Sequence, residues 1–358
     1  MEADNEVVAQ RPPIRVGIAG LGRAALFNHI PAFRALSALY RLVAVCDLMK
    51  ERRDIVEKDY PDVHMYRRVE DMLDDPEIDL VLISLPTIDH VSCALSSLRR
   101  GRWTVVEAPL ATTHEDAKML QAASVKARGK LFAYTPGLFS PEFRLAQSVL
   151  DDPRLGEVFE IHVRHQDYVR RDDWQSVKRC LGGCAWYEGQ DALLQATALM
   201  RTPPAQLWSE LKRVASLGDA EDFARIVLKS RTNITAGVEI NGGELSPGPA
   251  FEVRGNRGTF RVLPGATEGN LHVVDPDYRF SRRRSSVRTP PLADMHENLP
   301  VVDLQVPLAG ELLSGPETFG TPLFGTFRTA APFPVALDDV VETIRYLQLV
   351  KRASPFAK

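Results

Sequence analysis

The stretch that most constrains this chain is Ile14 to Ala25, Ile-Arg-Val-Gly-Ile-Ala-Gly-Leu-Gly-Arg-Ala-Ala. An apolar, β-branched run leads into Gly20 and Gly22, and Ala25 follows three places after Gly22. The order is strand, Gly-x-Gly-x-x-Ala, helix. Gly20 permits a tight turn, Gly22 lets backbone N–H groups approach a pyrophosphate, and a small Ala25 lets the helix pack on its strand. Arg23 and Ala24 open that helix, where unpaired N–H groups and the helix dipole favour an anion. The second half of the pattern is also present. Residues 41–46 read as a strand ending in Asp47, about 25 residues after Gly22, where an acid binds both ribose hydroxyls of an adenosine. An ordinary βα turn with a surface aspartate is the plain alternative. Both halves in register favour a bound dinucleotide, with NAD preferred over NADP because Asp47 repels a 2′-phosphate; Arg52 and Arg53 soften that repulsion.

Strands and helices then alternate. Residues 24–39 are helical in pattern but interrupted at Pro31, which predicts a short first turn and a helix restarting with Pro31 near its first position. Helices are expected over 50–59, 90–100 and 114–126, and strands over 63–66, 80–85, 104–107 and 131–134. The near-continuous apolar run at 80–85 marks a strand buried on both faces. This alternation predicts a parallel, doubly wound sheet. The pattern changes near Pro136. Residues 157–165 alternate apolar and polar, a helix is expected over 185–200, and strands follow over 224–230, 233–240, 250–254, 259–263 and 271–274, joined by Gly- and Asn-bearing turns. Residues 276–334, rich in Pro, Ser and Arg, read as a long loop, and 338–353 as an amphipathic closing helix. The expected fold class is α/β: a loose tail over 1–13, a dinucleotide-binding domain over 14–135, and an α+β domain with a large, mostly antiparallel sheet over 136–358.

The chain has 358 residues, enough for two domains and a sizeable core. A net charge of −3 gives no argument for nucleic acid or a membrane surface as partner. No apolar run approaches the ~20 residues of a membrane helix, and the polar N-terminus lacks the apolar segment of a signal peptide. Cys46 and Cys93 lie in or beside apolar segments and read as buried thiols; Cys180 and Cys184 are four apart with no Cys or His cluster beside them, so no metal site is expected. A reducing, cytoplasmic setting fits this usage.

In combination, several segments resemble the glucose–fructose oxidoreductase/inositol dehydrogenase/rhizopine-catabolism (Gfo/Idh/MocA) family, over nearly the whole chain from Ile14 to about Ser354. They are Val16-Gly17-Ile18-Ala19-Gly20-Leu21-Gly22, His29-Ile30-Pro31-Ala32, Val43-Ala44-Val45-Cys46-Asp47, Pro86 with His90, Gly101 through Ala111, Leu155-Gly156-Glu157-Val158, Gly182-Gly183 and Val253 through Thr259. The resemblance implies a Rossmann domain binding NAD or NADP, with Pro86, His90, Glu107 and Ala108 beside the cofactor. It also implies a second domain whose open sheet face forms homo-oligomer contacts, and a sugar or polyol oxidised in the cleft. Val253, Thr259 and Val262 offer that sheet β-branched residues, whose facing the sequence leaves open.

The departures from that family are specific. It carries Glu-Lys-Pro after the fifth strand, and this chain has Glu107-Ala108-Pro109. A methyl group neither donates a hydrogen bond nor stabilises a developing alkoxide. The family places an Asp and a His four apart on a helix after its glycine pair, on one face. Led by Gly182-Gly183, those positions are Glu188 and Ala192; matched to Gly189, they are Tyr187 and Asp191. Neither register supplies a histidine. Glu188 and Asp191 are therefore the candidate catalytic carboxylates, and the plain alternative is a polar helix face. The family's Asn after Pro86 is Thr87 here, and its Asn-Arg-rich stretch is Thr135-Pro136-Gly137-Leu138. Glu107 alternatively caps a turn, and His90 alternatively caps a helix. Tyr168, Trp174, Trp186 and Tyr187 flank the expected cleft as stacking surfaces or core. Arg282-Arg283-Arg284 with Arg288 reads as a solvated basic loop. Two functions stay open: an NAD(P)-dependent oxidoreductase with an atypical active site, or a non-catalytic sensor or scaffold in which dinucleotide binding is kept or lost.

Overall fold

A computed structural model describes residues 12–280, 298–309, 317–354 and 356. Residues 1–11 of the expected tail over 1–13 and the basic cluster Arg282-Arg283-Arg284 with Arg288 lie outside the described residues. Among the described residues two sheets form. The first is wholly parallel: β1 (Ile14–Ala19), β2 (Tyr40–Cys46), β3 (His64–Tyr66), β4 (Leu80–Ile83), β5 (Trp103–Val106) and β6 (Leu131–Ala133), in the order β3-β2-β1-β4-β5-β6. All four residues of β4 are buried, as a strand with helices on both faces requires. Strand order reverses between β1 and β4, and the glycine loop leaves β1 at that crevice, where ligands of open α/β sheets bind. The loop runs into continuous helix: a π-helical turn over Ala25–His29, then α-helix over Ile30–Ala35 with Pro31 in its first turn. The widened turn absorbs a proline whose missing N–H cannot join the ladder.

The second sheet has eight strands: β7 (Val158–Gln166), β8 (Pro204–Lys212), β9 (Phe223–Ser230), β10 (Thr235–Asn241), β11 (Phe251–Gly255), β12 (Gly258–Val262), β13 (Glu268–Val274) and β14 (Val301–Pro307). Their order is β14-β13-β12-β11-β7-β10-β9-β8, antiparallel except where β7 meets β10. Helices over Pro141–Ser148, Gly189–Met200 and Leu337–Ala353 cover one face. Strand alternation puts Ile161, Val163, Ala236, Val238, Val253, Phe260 and Val262 on that covered face, fully buried. Of the three β-branched residues whose facing the sequence leaves open, Val253 and Val262 therefore lie on the covered face and Thr259 on the other. The open face carries Glu160, Arg164, Glu239, Arg254 and Arg261 instead.

The stretch over 276–334 is not a plain loop. It contains β14 and a helix over Glu317–Thr329. Two glycines and Pro322 inside that helix hide its period from sequence. Its Phe319, Leu323 and Phe324 return to the first sheet and pack with Ile18, Tyr40 and Leu82, each burial contributing about 1.5–3 kcal/mol. The Tyr40 hydroxyl donates to the Gly320 carbonyl at 2.6 Å. The helix expected over 185–200 is two, Cys184–Tyr187 and Gly189–Met200, meeting at Glu188.

Candidate active site

On the cofactor side, Gly20 has φ +93°, and a Cβ there would lie 2.4 Å from the Ser84 carbonyl oxygen. Only glycine lets the turn after β1 press against the turn after β4. Around Gly22 the opposite holds: nothing lies within 4 Å of where a Cβ would project, so a ligand has free approach to its backbone. Asp47 ends β2. Its carboxylate accepts from the N–H groups of Leu21 and Met49 at 2.9 and 2.8 Å, which ties it to the glycine loop. Arg52 stands 3.4 Å from the same carboxylate, and Arg53 donates to the Asp47 carbonyl. An open glycine loop with an acid fixed at the end of β2 fits a dinucleotide whose pyrophosphate lies over Gly20, Gly22, Arg23 and Ala24.

At the ends of β4 and β5, Pro86 is exposed on the rim. His90 is buried, with Nδ1 2.8 Å from the Pro109 carbonyl oxygen and Nε2 2.9 Å from that of Leu85. It sits between the two strand ends, where a neutral ring donates to one of the two carbonyls, and burial encloses both nitrogens. Burial pushes its pKa down. Gln190 accepts from the Leu110 N–H at 2.8 Å, so a helix of the second domain holds the same loop. Ala108 is part-exposed on that loop, and its N–H faces the Glu107 carboxylate at 3.3 Å. Glu107 does more than cap a turn. Its other oxygen is bonded to His29, which the π-helical turn presents and whose ring meets Tyr134 edge-on at 4.7 Å.

On the substrate side, the helix Gly189–Met200 turns Asp191 and Gln195 toward the cleft. Both meet Gly137: the Gly137 N–H donates to Asp191 at 2.9 Å, and the Gln195 amide donates to the Gly137 carbonyl at 2.8 Å. Ala192 is fully buried on the opposite, core side. The two residues four apart on one face of the helix toward the cleft are Asp191 and Gln195. Burial pushes the Asp191 carboxyl up to about 6, opposed by the Gly137 N–H and by His165, with Glu107 and Glu188 adding to the rise. Its Oδ1 is buried without a hydrogen-bond partner.

An imidazole reaches this helix from β7. His165 shares the phase of Ile161 and Val163, so it faces the helix, and its Nε2 lies 2.9 Å from the Gln195 carbonyl oxygen. The Gln195 amide nitrogen is spent on Gly137, so that oxygen accepts and His165 Nε2 donates. Nδ1 is left as the acceptor, 3.7 Å from Glu188. Burial works against the His165 imidazolium, but Glu188, Gln195 and Asp191 outweigh it and the pKa is raised.

His165, Glu188, Gln195 and Tyr187 line a cavity of about 550 Å³ that opens on Arg23 of the glycine loop. Arg171 lies over the Tyr187 ring at 4.7 Å and is anchored by Asp173 and Gln175. Of the four expected aromatics, Tyr187 alone lines this cavity; Trp186 is buried, and Tyr168 and Trp174 are substantially exposed. Among the described residues no group of three or more His, Cys, Asp or Glu is placed to hold a metal. Cys46 and Cys93 are buried, which pushes both thiols up to about 12. No helix among the described residues is long and apolar enough to cross a membrane.

Comparison with known proteins agrees with this architecture. Residues 14–135 match the oxidoreductase family with an NAD-binding Rossmann fold (GFO_IDH_MocA), and residues 143–261 match the GFO/IDH/MocA C-terminal domain. An uncharacterized oxidoreductase of Schizosaccharomyces pombe is 28% identical over 274 residues, covering 70% of each chain. The scyllo-inositol 2-dehydrogenase (NADP(+)) of Bacillus subtilis is 21% identical over 251 residues, covering 69% of this chain and 68% of its own. Among solved structures, an NAD-binding protein from Listeria innocua superposes with a TM-score of 0.80 at 20% identity, covering 96% and 95% of the two chains.

Proposed function

Because the chain belongs to the Gfo/Idh/MocA oxidoreductase family, we propose that it oxidises a hydroxyl of a small, sugar-like or polyol compound, using NAD in preference to NADP and a proton acceptor from β7. The observation that carries this reading is His165, held by Gln195, facing Glu188, in a cavity that reaches the glycine loop. Gly20, Gly22, Arg23 and Ala24 would hold the pyrophosphate and Asp47 the ribose hydroxyls, with Pro86, Glu107 and Ala108 along the nicotinamide end. When bound, the dinucleotide supplies the two-electron acceptor. His165 Nδ1 takes the proton of the substrate hydroxyl, and Glu188 stabilises the imidazolium that results. Gln195 keeps the ring oriented by accepting from Nε2, and Asp191 fixes Gly137 at the wall of the cleft. The Bacillus relative, a polyol dehydrogenase by its name, supports the substrate class. Four free cysteines support a reducing, cytoplasmic setting.

Ala108 favours a second reading, a binding protein that keeps the dinucleotide without turnover, because removing one preorganised donor typically costs ~10²–10³ in rate. Incubation with NAD and a panel of polyols, followed at 340 nm, separates the two. NADH formation that disappears in His165→Asn supports the oxidoreductase. Tight NAD binding with no turnover on any polyol supports the sensor.

A further inference from the structure

Among the charged groups of the cavity wall that the catalytic reading does not use, Glu221 is buried with an idle oxygen. Glu221 is 2% exposed, lines the same cavity, and has one carboxylate oxygen buried with no hydrogen-bond partner. Its other oxygen is 2.6 Å from the ammonium of Lys351 on the closing helix. Gly183 makes room for it: a Cβ there would lie 2.2–2.5 Å from the carboxylate atoms, and φ is +116°. A buried carboxylate with an idle oxygen costs stability unless something donates to it. We propose that Glu221 forms the far end of the substrate cavity and accepts a hydrogen bond from a hydroxyl of the bound polyol, on the side of the molecule away from the carbon at His165.

Lys351 already balances the charge of Glu221, so the open oxygen suits a neutral donor better than an ammonium group. The backbone points the same way. The Cys184 N–H donates to the Glu221 carbonyl at 2.9 Å, and the Glu188 N–H donates to the Cys184 carbonyl at 3.0 Å, so one short helical turn lies between Glu221 and Glu188. Tyr187, on the same turn, lines the wall between them.

This inference rests on the cavity being the substrate site, and its test does not use turnover. The probe is myo-inositol, whose six ring carbons all bear hydroxyls, so opposite hydroxyls are available in any orientation. Binding to the full chain without NAD is followed by saturation-transfer NMR and calorimetry. Glu221→Leu with Lys351→Met removes both charges at similar volume, and a thermal melt checks that the pair folds. The expected result is binding by the wild type and a loss of about tenfold or more in the folded double variant. Glu221→Gln, which keeps the shape and one acceptor, decides the matter if the double variant does not fold, and weaker binding is again expected. No uptake of myo-inositol by the wild type in large excess overturns the inference, and so does unchanged binding in a folded variant. A wild type that binds inositol through Glu221 without oxidising it would sink the dehydrogenase reading alone.

Discussion

His165 on a strand and Glu188 between two helices approach to 3.7 Å, although 23 residues separate them in sequence. Oxidation of a hydroxyl needs the neutral imidazole, and the raised pKa of His165 places the acid limb of the rate profile above the usual histidine value of 6.5. Glu188→Gln removes the carboxylate that favours the imidazolium, so the limb moves to lower pH. His165→Asn lowers kcat by ~10²–10⁴ with little change in KM. A pH–rate profile of the three proteins checks both statements. A limb that stays in place in Glu188→Gln would show that the pair does not titrate as described.

Ala108 stands on the loop where the family carries a lysine, and Gln195 occupies the cleft-facing position four residues after Asp191. Ala108→Lys restores the cation on this loop, and activity with NAD and a bound polyol is expected to rise above wild type, read at 340 nm. Gln195→His instead removes the acceptor that orients His165 and is expected to lower it. Ala192→His is the control. Ala192 is fully buried in the core, so the imidazole overpacks it at a cost of about 1–3 kcal/mol and adds no activity. A gain from Ala192→His would refute the orientation of this helix.

The fold was legible in sequence where periodicity and turn chemistry were strong. The glycine loop, β4 and Asp47 fall where residues 14–47 and 80–85 predict them, because a buried parallel strand leaves an unbroken apolar run. The Glu317–Thr329 helix was not legible: its glycines and proline blur a period that only packing against the first sheet enforces. Of the site, the carboxylates were visible and the imidazole was not. His165 lay in the alternation of 157–165, in phase with Ile161 and Val163, but only the folded helix shows that this phase meets Gln195. His29 reaches Glu107 through a π-helical turn, and no local pattern announces one.

Asp191 sets a pH dependence of stability. Its carboxyl is raised from 3.8 to about 6. Folding therefore favours the protonated form, and the contribution is full below the unfolded value and lost as pH rises through about 6. Asp191→Asn removes that loss while an amide oxygen still accepts from the Gly137 N–H. The variant is expected to match wild type at pH 4 and to exceed it at pH 8 by on the order of 2 kcal/mol. Urea titrations at the two pH values decide it, and a variant that is weaker at pH 8 counts against the reading.

Asp47 couples the glycine loop to the end of β2, and its carboxylate faces the ribose side of the proposed nucleotide. Calorimetry is expected to give tighter binding of NAD than of NADP. Asp47→Ser shortens the acceptor, removes the charge that repels a 2′-phosphate and leaves Arg52 unpaired, so the preference narrows or reverses. Tighter binding of NADP by the wild type would overturn the assignment of Asp47.

The open face of the eight-stranded sheet is the expected homo-oligomer surface, and it is charged, because Val253 and Val262 turn to the covered side. Glu252 is 4% exposed beneath Arg254, Arg261 and Arg164, and Arg254 also reaches Glu160 at 2.6 Å. Buried, paired charges of this kind hold the sheet, and replacing one partner costs the fold before it reports on assembly. The informative position is at the β8 end of the same face. Trp208 is 53% exposed and opposite Val227; Phe223 lies four residues further along β9, opposite Lys212, with Lys212 and Arg225 over its ring. An exposed Trp opposite a β-branched residue suits an interface anchor, worth about 2 kcal/mol or about thirtyfold in dissociation constant. The wild type is expected to scatter light as an oligomer at micromolar concentration, and Trp208→Ala to shift it toward monomer with an unchanged thermal melt. Screening by salt tests the charged part of the face, since exposed pairs weaken at ionic strengths that leave an apolar anchor intact. A monomeric wild type would remove the sheet face as an assembly surface and leave Trp208 an isolated exposed side chain.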